Sequence, residues 1–263
     1  MIKTRKAFAD IKDATSQFQL WWFLGHAEIK QKYRRSSLGP WWITISMIVF
    51  ISAMGIVFSK IFNQSLKDYI PNFTAGFLFW TFFATTVTES AEIFKNNSGF
   101  IKQTDLPLSI YVLKHLSKQV ICLAHNFVVY VLAAFFFKLL PSSTFLFFIP
   151  GFLIFTANLF WICFLISMIC ARFRDIVPIL NSCIQIAFFI TPISWSTKSL
   201  SSDSKILLLN PLVYLIDIVK SPLLGLSPSS QSWCVTLWML LAGSLITFLV
   251  YSSKKSRIPF WIN

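Results

Sequence analysis

The residues best equipped for chemistry are four cations, Lys30, Lys32, Arg34 and Arg35, set within the stretch Trp21 to Trp42, WWFLGHAEIKQKYRRSSLGPWW. Guanidinium and ammonium groups on long stems reach phosphates while the stems stay at headgroup depth, so what they offer is anion binding, not bond making. The same cations also suit topology anchors or bulk anionic lipid. No catalytic constellation accompanies them. His26, His115 and His125 are scattered, the first two at surface boundaries; His125 falls inside an apolar run, where a helix-to-helix hydrogen bond is expected. Cys122, Cys163, Cys170, Cys183 and Cys234 all sit in apolar runs without ligand spacing and read as small buried hydrophobes, neither disulfides nor a metal site.

The element that must position the cations is a helix. Phe18, Trp22, Ile29 and Tyr33 recur at helical spacing with Trp21 beside them, while Lys30, Arg34 and Arg35 project elsewhere and Lys32 interrupts the stripe. Such a helix suits a membrane interface. After Gly39-Pro40 the chain runs from Trp41 through Ile61 with Lys60 as its only charge, long enough to cross a bilayer. The composition agrees: 263 residues, 56% apolar, 13% charged, mean hydropathy +0.67. These values lie outside the soluble range and leave little room for a soluble domain. Met1 to Lys12 has no apolar signal core, so the protein is expected to be retained whole. The net charge of +13 does not indicate nucleic acid, because the basic residues lie early in the chain and between apolar stretches, where they set topology.

In chain order, residues 1–38 form a polar lead followed by the interface helix. Residues 39–253 hold the spans, and residues 254–263 a basic tail. Spans are expected at about 40–60, 69–87, 106–137, 144–170, 176–195 and 233–251. In the third, Lys114, His115 and Lys118 are expected to snorkel outward at the surface. In the fourth, Pro150-Gly151 is able to kink or break the helix. Between the last two spans, ILLLNPLVYLIDIVKSPLLG carries Asp217 and Lys220, which a full crossing would bury, so a re-entrant pair on the outer side is preferred. The fold class is therefore an all-α polytopic membrane protein of six spans with an interface helix and an outer re-entrant pair. With both termini cytoplasmic, 17 of the 23 lysines and arginines lie inside. Eight spans would keep the same ends.

Residues 89–108 form a long polar interruption in which Glu92, Lys95 and Lys102 surround Ile93, Phe94, Phe100 and Ile101, a pattern for a short broken amphipathic helix or a solvated loop. Aromatic residues are abundant, at 17%. Phe73, Phe77, Phe79, Trp80, Phe82 and Phe83 cannot all share one helix face, so some of them could line a passage, with Phe77 and Trp80 one turn apart. No GxxxxGK[ST] pattern is present, so any use of ATP must come from a partner.

The pieces IKQKYRRSSLGPWW (29–42), NNSGFIKQTDLPLSI (96–110), ARFRDI (171–176), TPISW (191–195) and NPLVYLIDIVK (210–220) occur in this order along the chain. Together the sequence resembles the membrane subunit of type 2 ABC exporters, and within it the permeases of O-antigen, capsule and teichoic-acid polysaccharides. The resemblance implies an inner-membrane permease, not an enzyme, with no cofactor of its own. It would act as a homodimer with two nucleotide-binding ATPase subunits that hold ATP and Mg. Its implied substrate is a polyprenyl-pyrophosphate-linked glycan, most readily O-antigen. Lys30, Lys32, Arg34 and Arg35 would meet the substrate headgroup at entry, and Phe73, Phe77 and Trp80 the channel. Glu92, Phe94 and Phe100, with Arg172, Arg174 and Asp175 of the second loop, would couple to the ATPase. The alternative is a type 2 exporter of a small amphiphile or drug. This sequence departs from many relatives at His26-Ala27-Glu28, Asp105 and Lys220.

Overall fold

A computed structural model describes residues 2–139, 142–195 and 205–262. All regular structure in the described residues is helical. The chain forms α1 (Ile2–Ser16), α2 (Phe18–Lys32), α3 (Trp41–Ile61), α4 (Leu66–Ser90), α5 (Ile93–Asn96), α6 (Ser98–Gln103) and α7 (Ser109–Phe136). A short 3₁₀ turn, Ser143–Phe147, leads into α8 (Phe148–Arg172) and α9 (Ile176–Ile190). Then come α10 (Lys205–Leu209), α11 (Pro211–Leu223), α12 (Ser230–Lys254) and α13 (Ile258–Trp261).

Four segments are long and apolar enough to cross a membrane: Trp41–Ile61, Ser109–Phe136, Ser143–Arg172 and Ser230–Trp261. Their outward faces carry large apolar side chains such as Val57 on α3 and Trp238 and Leu241 on α12. At 25 residues, α4 is also long, but it is less uniformly apolar because it is central, packed by α3, α7, α8, α9 and α11. Its Phe73, Phe79, Phe82 and Phe83 are buried beside Thr74, Thr86 and Ser90. Helix neighbours can satisfy hydroxyl groups that lipid cannot, so a central helix tolerates them.

Three expectations are corrected. The polar lead is a packed helix: Ala7, Asp10 and Ala14, spaced at i, i+3 and i+7, face α7 and α12. Asp10 accepts hydrogen bonds from the Leu108 and Ser109 backbone N–H groups at 3.0 and 3.2 Å and pairs with Lys255 at 2.8 Å. A carboxylate borrowed from another helix thus caps the start of α7, where free N–H groups and the helix dipole favour an anion. Secondly, α8 runs unbroken past Pro150, which lies in its first turn where no N–H is needed. Gly151 there lets α11 approach, since a Cβ would come within 2.3 Å of the Ile218 carbonyl oxygen. Thirdly, the cysteines are free, but only Cys163 and Cys170 are buried; Cys183 and Cys234 lie on the exposed apolar surface.

At the far end from the termini, hydrogen bonds to neutral groups and to one carboxylate fasten α11. Asn210 caps it through Leu212 N–H and donates to Thr191 Oγ1 at 3.0 Å, and Tyr130 donates to the Leu223 carbonyl. Asp217 accepts from Ser232 Oγ at 2.6 Å and from Ser229 N–H at 3.3 Å. The re-entrant pair expected between Pro192 and Lys220 lies in part outside the described residues.

Candidate functional site

Between α2, α3, α4 and α7 lies a cavity of about 710 Å³. Its position follows from how α2 is docked. Gly25 lies directly against α7, where a Cβ would meet Ser117 Oγ at 2.1 Å, and Ser117 donates to the Trp21 carbonyl at 3.1 Å. With α2 pinned at that point, Glu28, Ile29, Lys32 and Tyr33 overhang the gap between α3 and α7. Thr44 Oγ1 on α3 donates to the His125 carbonyl of α7 at 2.8 Å and closes the opposite wall. The helix-to-helix bond expected of the His125 side chain is not formed: its ring Nδ1 meets the Ile121 carbonyl of its own helix, and only its backbone carbonyl reaches α3.

The mouth is charged. Glu28 pairs with Lys114 and Lys118, both at 3.0 Å, and Lys118 also pairs with Glu89 at 2.8 Å. Gln119 Nε2 donates to Glu89 at 2.7 Å, and Lys114 Nζ donates to Asn97 Oδ1 at 2.9 Å. Burial pushes the Glu28 carboxyl up, but the Lys118 charge and the hydrogen bonds from Lys114 and Lys118 outweigh it and hold the group below its ordinary value. Lys114 and Lys118 therefore do not snorkel outward. They turn inward because two carboxylates from other helices neutralise them. His115 beside them is buried and meets the Thr86 carbonyl at 2.9 Å.

Deeper in, the lining becomes apolar and aromatic. Phe50 stacks on Phe77 with centroids 4.5 Å apart, and Met47, Phe82 and Leu123 complete the walls around Ser46, Thr81, Thr85 and Asn126. Of the aromatic residues expected at the passage, Phe77 lines this cavity. Phe73 is buried between Tyr69 and Phe77, and Trp80 packs on Phe83 and Phe188. Of the cations, Lys32 is at the mouth; Lys30, Arg34 and Arg35 are exposed around the turn that leaves α2.

The residues expected at the coupling surface separate in the same way. Phe94 is buried against Phe164 in the protein's own core, whereas Phe100 is 65% exposed on α6. Glu92 pairs with Lys95 at 3.3 Å on the surface. The Arg172 guanidinium lies over the rings of Phe173 and Trp261, and Arg174 and Asp175 are exposed. Sequence reasoning missed Glu28, Glu89, Lys114, Lys118, Gln119 and Asn126 as site residues. The available signal was the i, i+4 spacing of Lys114 and Lys118, which sets two cations on one face of an otherwise apolar helix and calls for acidic partners. Among the described residues no group of side chains could hold a metal ion.

A family model described as ABC-2 type transporter matches residues 19–224, a span that contains every residue lining the cavity. Two curated relatives, both O-antigen export system permease proteins RfbA of Klebsiella pneumoniae, are each 27% identical over 208 residues, covering 76% of this chain and 78% of the relative. With its apolar spans and matched core, the chain belongs to the ABC-2 type transporter family, as a multi-pass permease of the inner membrane.

Proposed function

We propose that this permease exports a polyprenyl-pyrophosphate-linked polysaccharide, with O-antigen the favoured product. The observation that carries the reading is the cavity itself: it opens beside α2, with Lys32 at its mouth and stacked phenylalanines inside. A lipid-linked glycan needs that sequence of environments, phosphate-binding at headgroup depth and then a broad aromatic surface that contacts the apolar face of a sugar while leaving its hydroxyls free. The curated relatives named as O-antigen export permeases support the same substrate class.

In this reading α3, α4, α7, α8, α9 and α12 are the six spans, both termini are cytoplasmic, and α10 and α11 are the outer re-entrant pair. Lys30, Lys32, Arg34 and Arg35 receive the pyrophosphate. Two copies form the passage, and two ATPase subunits dock on α5–α6 and the loop Arg172–Asp175. Nucleotide-driven closure of those subunits shifts which helix arrangement is favoured. Depletion of the protein tests the function. Accumulation of polyprenyl-pyrophosphate-linked polymer on the cytoplasmic side is expected; normal glycan export together with new drug sensitivity would replace this reading with export of a small amphiphile.

A further inference from the structure

The packing of α1 leaves one of its faces open. Ala7, Asp10 and Ala14 turn inward, whereas Arg5, Phe8 and Lys12, spaced at i, i+3 and i+7, share an exposed side, with Phe8 64% exposed. With Asp13 and with Phe248 of α12, these three line a groove of about 560 Å³. Among the described residues neither Arg5 nor Lys12 forms an ion pair, although lysines elsewhere in the bundle do. The level of the groove is set by Lys255, just past the end of α12, which pairs with Asp10 and donates to the Lys6 carbonyl at 3.2 Å.

From the groove an apolar track runs along α12. Leu245, Leu241 and Trp238 follow Phe248 at three, seven and ten residues back on one face of the helix, and all three are exposed. Ten residues of helix rise about 15 Å, the depth of one leaflet in a hydrocarbon core of about 30 Å. Two unpaired cations thus stand at the head of an apolar track one leaflet long.

We infer that this groove holds an anionic phospholipid, its phosphate between Arg5 and Lys12 and one acyl chain passing Phe8 and Phe248 onto the outer face of α12. The site is independent of the proposed export substrate. Arg5 and Lys12 are about 10 Å apart along α1, close enough for their long side chains to converge on one phosphate over Phe8. Asp13 offsets one of the two cations, and the remaining charge favours an anionic headgroup over a zwitterionic one. A lipid fits better than a second protein chain, because charge and apolar surface follow one another in the order of headgroup and acyl chain on the outward side of a membrane-crossing helix.

The test uses the full-length protein with benzoylphenylalanine at Phe8, in vesicles of equal phosphatidylglycerol and phosphatidylcholine with matched acyl chains. Photo-adducts are identified by mass spectrometry. Phosphatidylglycerol adducts should exceed phosphatidylcholine adducts roughly fivefold, the effect of one cation near an anionic surface. The excess should fall to parity in Arg5→Gln/Lys12→Gln and survive in Arg5→Lys, which keeps the charge. Without any substitution, raising the salt to about 1 M should also reduce it, since screening then acts within a few ångström. At Leu226, exposed at the other end of the bundle, the two lipids should be captured equally. Equal capture at Phe8, an excess that survives Arg5→Gln/Lys12→Gln or high salt, or the same excess at Leu226 overturns the site. Crosslinking of Phe8 to a second copy of the chain in place of lipid does so as well.

Discussion

At the end of the bundle that carries both termini, helices are joined by ion pairs, Glu28 and Glu89 with Lys114 and Lys118, and Asp10 with Lys255. At the opposite end α11 is held by hydrogen bonds: Asn210 donates to Thr191, Tyr130 donates to the Leu223 carbonyl, and the Asp217 carboxylate accepts from Ser232 Oγ and Ser229 N–H. The ion-paired end is partly wet: the Glu28 side chain is 38% exposed while its lysine partners are mostly covered. Ion pairs in such a setting keep much of their hydration, add modest net stability, and can be re-paired as helices move. Neutral hydrogen bonds to backbone carbonyls fix a single geometry. The contrast makes the α2–α7 junction the end whose contacts depend on charge and the α11 end the one whose contacts depend on hydrogen-bond geometry.

Reversing a charge at the ion-paired end is expected to have the largest effect. Glu28→Lys would place three cations together, release α2 and remove most export; adding Lys114→Glu should recover part of the activity, measured as surface glycan at equal protein level. Recovery would confirm that pairing, not residue identity, holds α2. Phe94→Asp should also be severe, about 3 kcal/mol or more, because it buries a carboxylate against Phe164, and it should appear as loss of folded protein. Phe100→Asp, on an exposed side chain, should leave folding intact and reduce co-purification with the ATPase subunit. Intact co-purification would remove α6 from the docking surface.

Asp10→Asn is an intermediate case. It keeps one of the two oxygens that accept from the Leu108 and Ser109 N–H groups, sets an NH2 against the other and loses the charge facing Lys255, so a loss of about 1–2 kcal/mol is expected in thermal unfolding. The smallest effect is pH-dependent. The Glu28 carboxyl is held below its ordinary value of 4.5, so its contribution is fully present above that pH and is lost as pH falls through the lowered value. Protease accessibility of α2 should therefore be flat from neutral pH down to about 5 and rise only in stronger acid. The acid-dependent change should be absent in Glu28→Gln.

The α2 helix and the apolar helix Trp41–Ile61 were legible because their signals are local: helical spacing of Phe18, Trp22 and Ile29, and a run with one charge. The fate of Lys114 and Lys118 was not local. Glu28 is 90 residues from Lys118, and Glu89 reaches it from a third helix, so no window of sequence shows the neutralisation. The α1 helix escaped notice for the same reason, since Asp10 finds Ser109 at a separation of 99 residues. Of the cavity, Phe77 was anticipated from its aromatic surroundings. Asn126 was not, because one carboxamide in an apolar helix looks the same whether it faces a neighbour or a cavity.

The most direct measurement is site-specific photo-crosslinking with benzoylphenylalanine at Phe77, in the cavity wall, and at Leu241, on the outer face of α12. In membranes that make the lipid-linked glycan, Phe77 should yield a covalent adduct bearing polymer, dependent on the presence of an intact Glu28 junction, while Leu241 should capture only bulk phospholipid. Equal polymer capture at both positions, or none at Phe77 with the protein actively exporting, would contradict entry of the substrate through the α2–α7 cavity.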